Sequence, residues 1–206
     1  MKKLATFRFL GDLNDLLSSH RKDVDFPYSF QGNQSIKHLI ESLGVPHTEV
    51  SRILINGKLV DFSYIVQDGD EVLVYPITAH SGESFMGLRD CPEGEIQFVL
   101  DNHLGRLAVY LRMLGFDTLY QNNYQDGELA RVSNEQKRIL LTRDRRLLMR
   151  NSVHYGYCIR SKIPRQQLVE VLRRYDLYSK IVPFRRCISC NGLLKPVNNC
   201  LLYTSP

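Results

Sequence analysis

Phe7 and Phe9 alternate with polar neighbours, the period-two pattern of a half-buried strand, and residues 24–30 fit a second strand. From Ser35 the period lengthens: Ile36, Leu39, Ile40 and Leu43 share one helical face, and Gly44 stands just past its end. Residues 52–55 and Lys58–Val60 flank Asn56-Gly57, the strongest short hairpin signal. Gln67-Asp68-Gly69-Asp70 reads as a turn before a strand at 71–75. Hairpin, helix, hairpin and strand predict an α+β unit with one helix across a mixed sheet. Residues 80–95 lose this periodicity and read as a linker, with Cys91 before Pro92 an ordinary thiol.

The second half changes rhythm. An apolar strand at 96–100 precedes a helix carrying Leu104, Leu107, Ala108, Leu111 and Leu114, which Gly115 ends. Strands at 116–120, Ile139–Thr142 and 155–159 then alternate with helices at 126–136, 144–149 and 165–175. Such alternation predicts a parallel sheet. In a parallel sheet the carboxyl ends of the strands open on one edge, where ligands bind. Asp101 ends the first strand, Asp126 begins the helix after the second, and Asp144 follows the third. The order of the chain therefore directs three carboxylates to one edge, with Glu128 a candidate fourth.

Gathered carboxylates repel one another unless a cation neutralises them or some take up protons. Oxygen ligands alone suit Mg²⁺ or Mn²⁺, and such ions orient water against a phosphodiester. The same aspartates all precede helical segments, where Asp is favoured as a cap, so capping and metal binding both stand as readings. Arg106 and Arg112, on the helix after Asp101, read either as phosphate contacts or as a solvated, salt-bridged face. Arg145, Arg146 and Arg150 read as a substrate rim, and Asp117 as a residue that fixes a turn. Tyr120, Tyr124, Tyr155 and Tyr157 read as base-stacking or core residues. Cys187-Ile188-Ser189-Cys190 with Gly192 forms a knuckle, half of the four-ligand set zinc requires. Cys200 follows alone, leaving two free thiols or a metal shared between chains as the alternatives.

The chain's 206 residues, 43% hydrophobic and 24% charged, suit one large or two small globular domains. No run approaches the roughly 20 apolar residues of a membrane span, and Arg8 and Asp12 break up the start, which reads as a cytoplasmic protein. Five cysteines at uneven spacing do not form a disulfide framework. Charge divides the chain: residues 1–80 carry 8 Lys/Arg against 10 Asp/Glu, and residues 81–206 carry 19 against 12. Within 137–186 the balance is 14 to 3, which suits either a polyanion such as nucleic acid or a solvated basic face.

Phe7-Arg8-Phe9, the run Glu41-Ser42-Leu43-Gly44-Val45-Pro46-His47-Thr48-Glu49-Val50, Ile55-Asn56-Gly57 and Asp68-Gly69-Asp70-Glu71 resemble the ubiquitin-like β-grasp fold, closest to its sulfur-carrier-like branch. Active carriers need a free Gly-Gly terminus, whereas here Pro76 runs on into Ile77-Thr78-Ala79-His80, so sulfur carriage is not implied. Asp101, Leu104-Gly105-Arg106-Leu107-Ala108, Leu111-Arg112-Met113-Leu114-Gly115-Phe116-Asp117-Thr118, Asp126 with Glu128-Leu129, and Arg138-Ile139-Leu140-Leu141-Thr142-Arg143-Asp144 resemble the Mut-seven C-terminal RNase family, a branch of the PIN-like nucleases. That family also commonly carries a sulfur-carrier-like domain in front. The two resemblances imply a β-grasp domain over 1–78, a linker over 79–95, and an α/β PIN-like domain with a parallel sheet over 96–186. A truncated, zinc-ribbon-like end follows over 187–206. They further imply that Asp101, Asp126 and Asp144 bind Mg²⁺ or Mn²⁺ with help from Glu128, and that Thr142 and Arg143 position a water or a phosphate. Related chains complete the Cys187–Cys190 zinc site with a second pair of cysteines that this chain lacks. The activity expected is metal-dependent hydrolysis of RNA, with DNA an alternative substrate because the acids address phosphate. The rival expectation is a non-catalytic RNA-binding or adaptor protein whose β-grasp domain recruits a partner; a toxin-like nuclease is a third.

Overall fold

The computed structural model describes residues 2–77 and 94–196; most of the expected linker and the last ten residues lie outside them. In the first lobe β1 (Lys2–Phe9) pairs antiparallel with β2 (Phe26–Gln31). Helix α1 (Ile36–Ser42) follows, and Ser35 caps it by accepting from the His38 amide. β3 (Val50–Ile55) and β4 (Lys58–Val60) form the hairpin over Asn56-Gly57, both at positive φ as that tight turn requires. β5 (Glu71–Pro76) inserts parallel to β1 and antiparallel to β3, giving the mixed order β2-β1-β5-β3-β4. Phe7, Phe9 and Phe26 stack within the core below α1. A 3₁₀ segment at Gly11–Leu16 lies in the long connection between the first two strands, where the sequence pattern assigned no element.

In the second lobe β6 (Gln97–Leu100), α2 (Gly105–Met113), β7 (Asp117–Tyr120), α3 (Asp126–Glu135), β8 (Ile139–Thr142), α4 (Arg145–Leu148), β9 (Gly156–Cys158) and α5 (Pro164–Arg174) alternate. The four strands are all parallel, in the order β7-β6-β8-β9. β6 and β8 are covered on both faces, which is why their sequences run apolar without alternation. Phe98, Leu100, Ile139 and Leu141 face α2 and α5; Val99 and Leu140 face α3 and α4. Gly115 has a φ of +94°, and any Cβ there would run into the Val182 carbonyl.

The lobes are not beads on a string. Val99, Leu140, Leu147, Leu148 and Val153 belong to the same buried apolar cluster as Phe7, Leu39 and Ile53. Polar groups cross this seam as well. Glu49 of the first lobe, fully buried, accepts from the Cys158 amide at 2.9 Å and pairs with Arg160 at 2.5 Å. His47 meets the Val153 carbonyl at 3.1 Å, and Arg174 pairs with Asp12 at 2.7 Å. Among the described residues no helix is long and apolar enough to cross a membrane.

Candidate active site at the carboxyl edge of the parallel sheet

Register builds the site. Leu100 pairs with Leu141, so the next residues, Asp101 and Thr142, emerge side by side at the carboxyl ends of β6 and β8. The Asp101 amide donates to the Leu141 carbonyl at 3.1 Å, extending the ladder by one bond. The Thr142 hydroxyl donates to Asp101 Oδ2 at 2.7 Å, and its oxygen accepts from the Asp144 amide at 2.9 Å. Thr142 is fully buried and Asp101 only 9% exposed, so this hydroxyl fixes both the carboxylate and the turn leading to Asp144.

The three aspartates meet different fates. Asp144 is a helix cap: its side chain accepts from the Arg146 amide at 2.8 Å. Asp101 makes no capping bond, although a 3₁₀ turn follows it. Asp126 is the first residue of α3 and, largely exposed, faces Arg150 at 3.5 Å. Glu128 is exposed one turn in. Among the described residues no three of the Asp, Glu, His and Cys side chains stand close enough to enclose a metal ion. The three-acid cluster expected from strand order is not assembled: the Thr142 hydroxyl links the Asp101 carboxylate to the backbone amide of Asp144, the Asp144 carboxylate caps α4, and Asp126 stands at Arg150.

Arg106, Arg143 and Arg146 are exposed. Two other arginines, Arg112 read as a phosphate contact or a solvated face and Arg145 read as part of the rim, turn elsewhere. Arg112 is 5% exposed; it donates from Nε to the Thr118 carbonyl and from Nη1 to the Ile188 and Ser189 carbonyls. Its role is to hold the Cys187–Cys190 knuckle against β7, because a helix residue facing the last segment is covered by it. Arg145 turns away from the edge and donates to the Leu16 carbonyl at 2.6 Å. Tyr124 and Tyr157 are buried, and Tyr120 is tied to the Asn102 carbonyl, so these three rings serve the framework.

A second polar centre, at the start of β7, was foreshadowed by Asp117 alone. Asp117 pairs with Arg138 at 2.7 Å and Arg186 at 3.0 Å and accepts from Asn191 at 2.8 Å. Burial pushes its carboxyl upward, but the hydrogen bonds from Arg138 and Asn191 and the two positive charges outweigh burial and hold it below the ordinary 3.8. Asn191, at a φ of +66°, also takes the Thr118 amide on its side-chain oxygen and so locks the knuckle to the sheet. Backbone amides of Cys190 and Ser189, then the Cys190 thiol, lower the Cys187 thiol, which still stands as one of just two cysteines at the knuckle among the described residues. Arg138 and Asn191 carried no local motif, since their partners lie far along the chain.

A parallel α/β lobe with a carboxylate at its edge is thus joined through a common core to a five-stranded mixed-sheet lobe crossed by one helix. The chain belongs to the Mut7-C RNAse domain family, whose model matches residues 96–201, and the Mut7-C ubiquitin model matches residues 2–81. Comparison with curated proteins and with solved structures gave no match.

Proposed function

We propose that the protein is a metal-dependent ribonuclease that hydrolyses RNA phosphodiester bonds at the edge formed by Asp101, Thr142 and Asp144. One observation carries the reading. Asp101 ends a buried strand, makes no helix cap, and is held in place by a buried hydroxyl. A carboxylate fixed so tightly without a capping task suits a ligand or reactant better than a structural acid.

The donor set fits Mg²⁺ or Mn²⁺ in the manner of a site that takes one or two carboxylates and fills the rest with water and phosphate oxygens. Asp101 and Asp144 would hold the ion, and Asp126 would join on releasing Arg150, with Glu128 beside it. When bound, the ion supplies Lewis acidity and a more acidic water. The chain's own groups do the remainder. Thr142 keeps its proton on the Asp101 side and so holds one carboxylate oxygen, leaving the other for a ligand. Arg106, Arg143 and Arg146, exposed around the edge, attract and orient the phosphate backbone. At the far end, a zinc site on Cys187 and Cys190 would need two further ligands.

The test is cleavage of a 5′-labelled oligoribonucleotide with Mg²⁺ or Mn²⁺. Asp101→Asn and Asp144→Asn should each lower the rate by about 100-fold or more, the scale expected when a group facing developing charge is removed. Cleavage by both variants at the wild-type rate would overturn the proposal. RNA bound in a salt-sensitive way but left intact by the wild type would favour a binding module instead.

A further inference from the structure

The first lobe reaches the edge strand and the loops around the Thr142–Asp144 turn. Arg145 directly follows Asp144, and its Nη1 donates to the Leu16 carbonyl at 2.6 Å and sits 3.5 Å from the Gly44 carbonyl. Gly44, at a φ of +95°, ends α1 so closely over this guanidinium that a Cβ would stand 3.3 Å from Nη1. Beyond α4, the Val153 carbonyl meets His47. On β9, the edge strand, the Cys158 amide that points out of the sheet is taken by Glu49. Cys158 is the register partner of Thr142, and the Thr142 carbonyl accepts from the Ile159 amide at 2.8 Å. Thr142 is in turn the hydroxyl that holds Asp101 and the Asp144 amide.

We propose that the β-grasp lobe acts as an internal scaffold for the active edge, with Arg145 as the positioning residue that fixes the Asp144 turn from the first lobe. The inference builds on the ribonuclease reading, but its geometry is testable apart from activity. α4 spans only Arg145–Leu148; Asp144 caps it from within the second lobe, and Arg145, its first residue, adds a tether to the first lobe. Arg145 uses a single nitrogen for both carbonyls, which a lysine ammonium can imitate.

Two amides report the turn: Asp144 N, bonded to Thr142 Oγ1, and Arg146 N, bonded to Asp144 Oδ1. In the full chain, Arg145→Ala should speed hydrogen exchange at both amides, read by NMR, by about tenfold or more. Arg145→Lys should restore slow exchange. Lys37→Ala, which removes the exposed interlobe contact to Asn151, should leave both amides unchanged. In the cleavage assay Arg145→Ala should lower kcat by about 10- to 100-fold with KM nearly constant, as misplacement of a reacting group does. Unchanged exchange in Arg145→Ala, or equal acceleration in Lys37→Ala, would overturn the proposal. So would full kcat in Arg145→Ala. Absence of cleavage by the wild type would defeat the ribonuclease reading while leaving the exchange result to judge the scaffold.

Discussion

At the scale of single residues, the acids differ in what holds them: Asp144 caps α4, Asp101 takes the Thr142 hydroxyl, and Asp117 meets arginines. Asp117 neutralises two largely buried arginines, Arg138 and Arg186. Its carboxyl is lower in the folded chain than in the unfolded one, so its stabilisation is complete above about pH 3.8 and is lost as the pH falls through the folded value. Asp117→Asn should therefore cost on the order of 3 kcal/mol near neutrality, because both guanidinium groups lose their counter-charge. The deficit relative to wild type should shrink below pH 3.8, which urea titrations at pH 7 and pH 3 would measure. A deficit that stays constant with pH would show that the charge of Asp117 contributes nothing. The place of Asp101 at the sheet edge was legible beforehand, since an apolar strand running into Asp announces an edge. The inward turn of Arg112 and Arg145 was not, because their acceptors are backbone carbonyls that no side-chain pattern marks.

At the scale of elements, short strands and helices hold their places through packing more than through propensity. α4 is a single turn, yet Leu147 and Leu148 are fully or nearly fully buried and belong to the cluster that also contains the first lobe's phenylalanines. Leu148→Ala should cost about 2–5 kcal/mol through lost burial and the cavity left behind. Because that cluster runs through both lobes, thermal unfolding should remain one transition shifted to lower temperature, read by calorimetry. Two separated transitions, with the first lobe unaffected, would contradict a shared core. In the second lobe β6 and β8 were legible from their apolar runs and α2 from its period. The 3₁₀ segment at Gly11–Leu16 was not, since its stability comes from Asn14 bonding the Phe9 and Gly11 carbonyls and from contacts with the other lobe.

At the scale of the whole molecule, charge divides the chain into an acidic and a basic half, but composition says nothing of how the halves meet. Glu49 and Arg160, and His47 and Val153, lie over a hundred positions apart, and neither partner's neighbourhood hints at the other. The seam they form places the smaller lobe against the strand and helix beside the carboxylate edge. The metal centre proposed at Asp101 and Asp144 lies beside that seam. The most direct test of that centre is Mn²⁺ titration calorimetry on the wild type and on the Asp101→Asn/Asp144→Asn double variant. Binding by the wild type that the double variant loses is the result predicted. Equal binding by both, or none by the wild type in the presence of RNA, would contradict a metal centre at this edge.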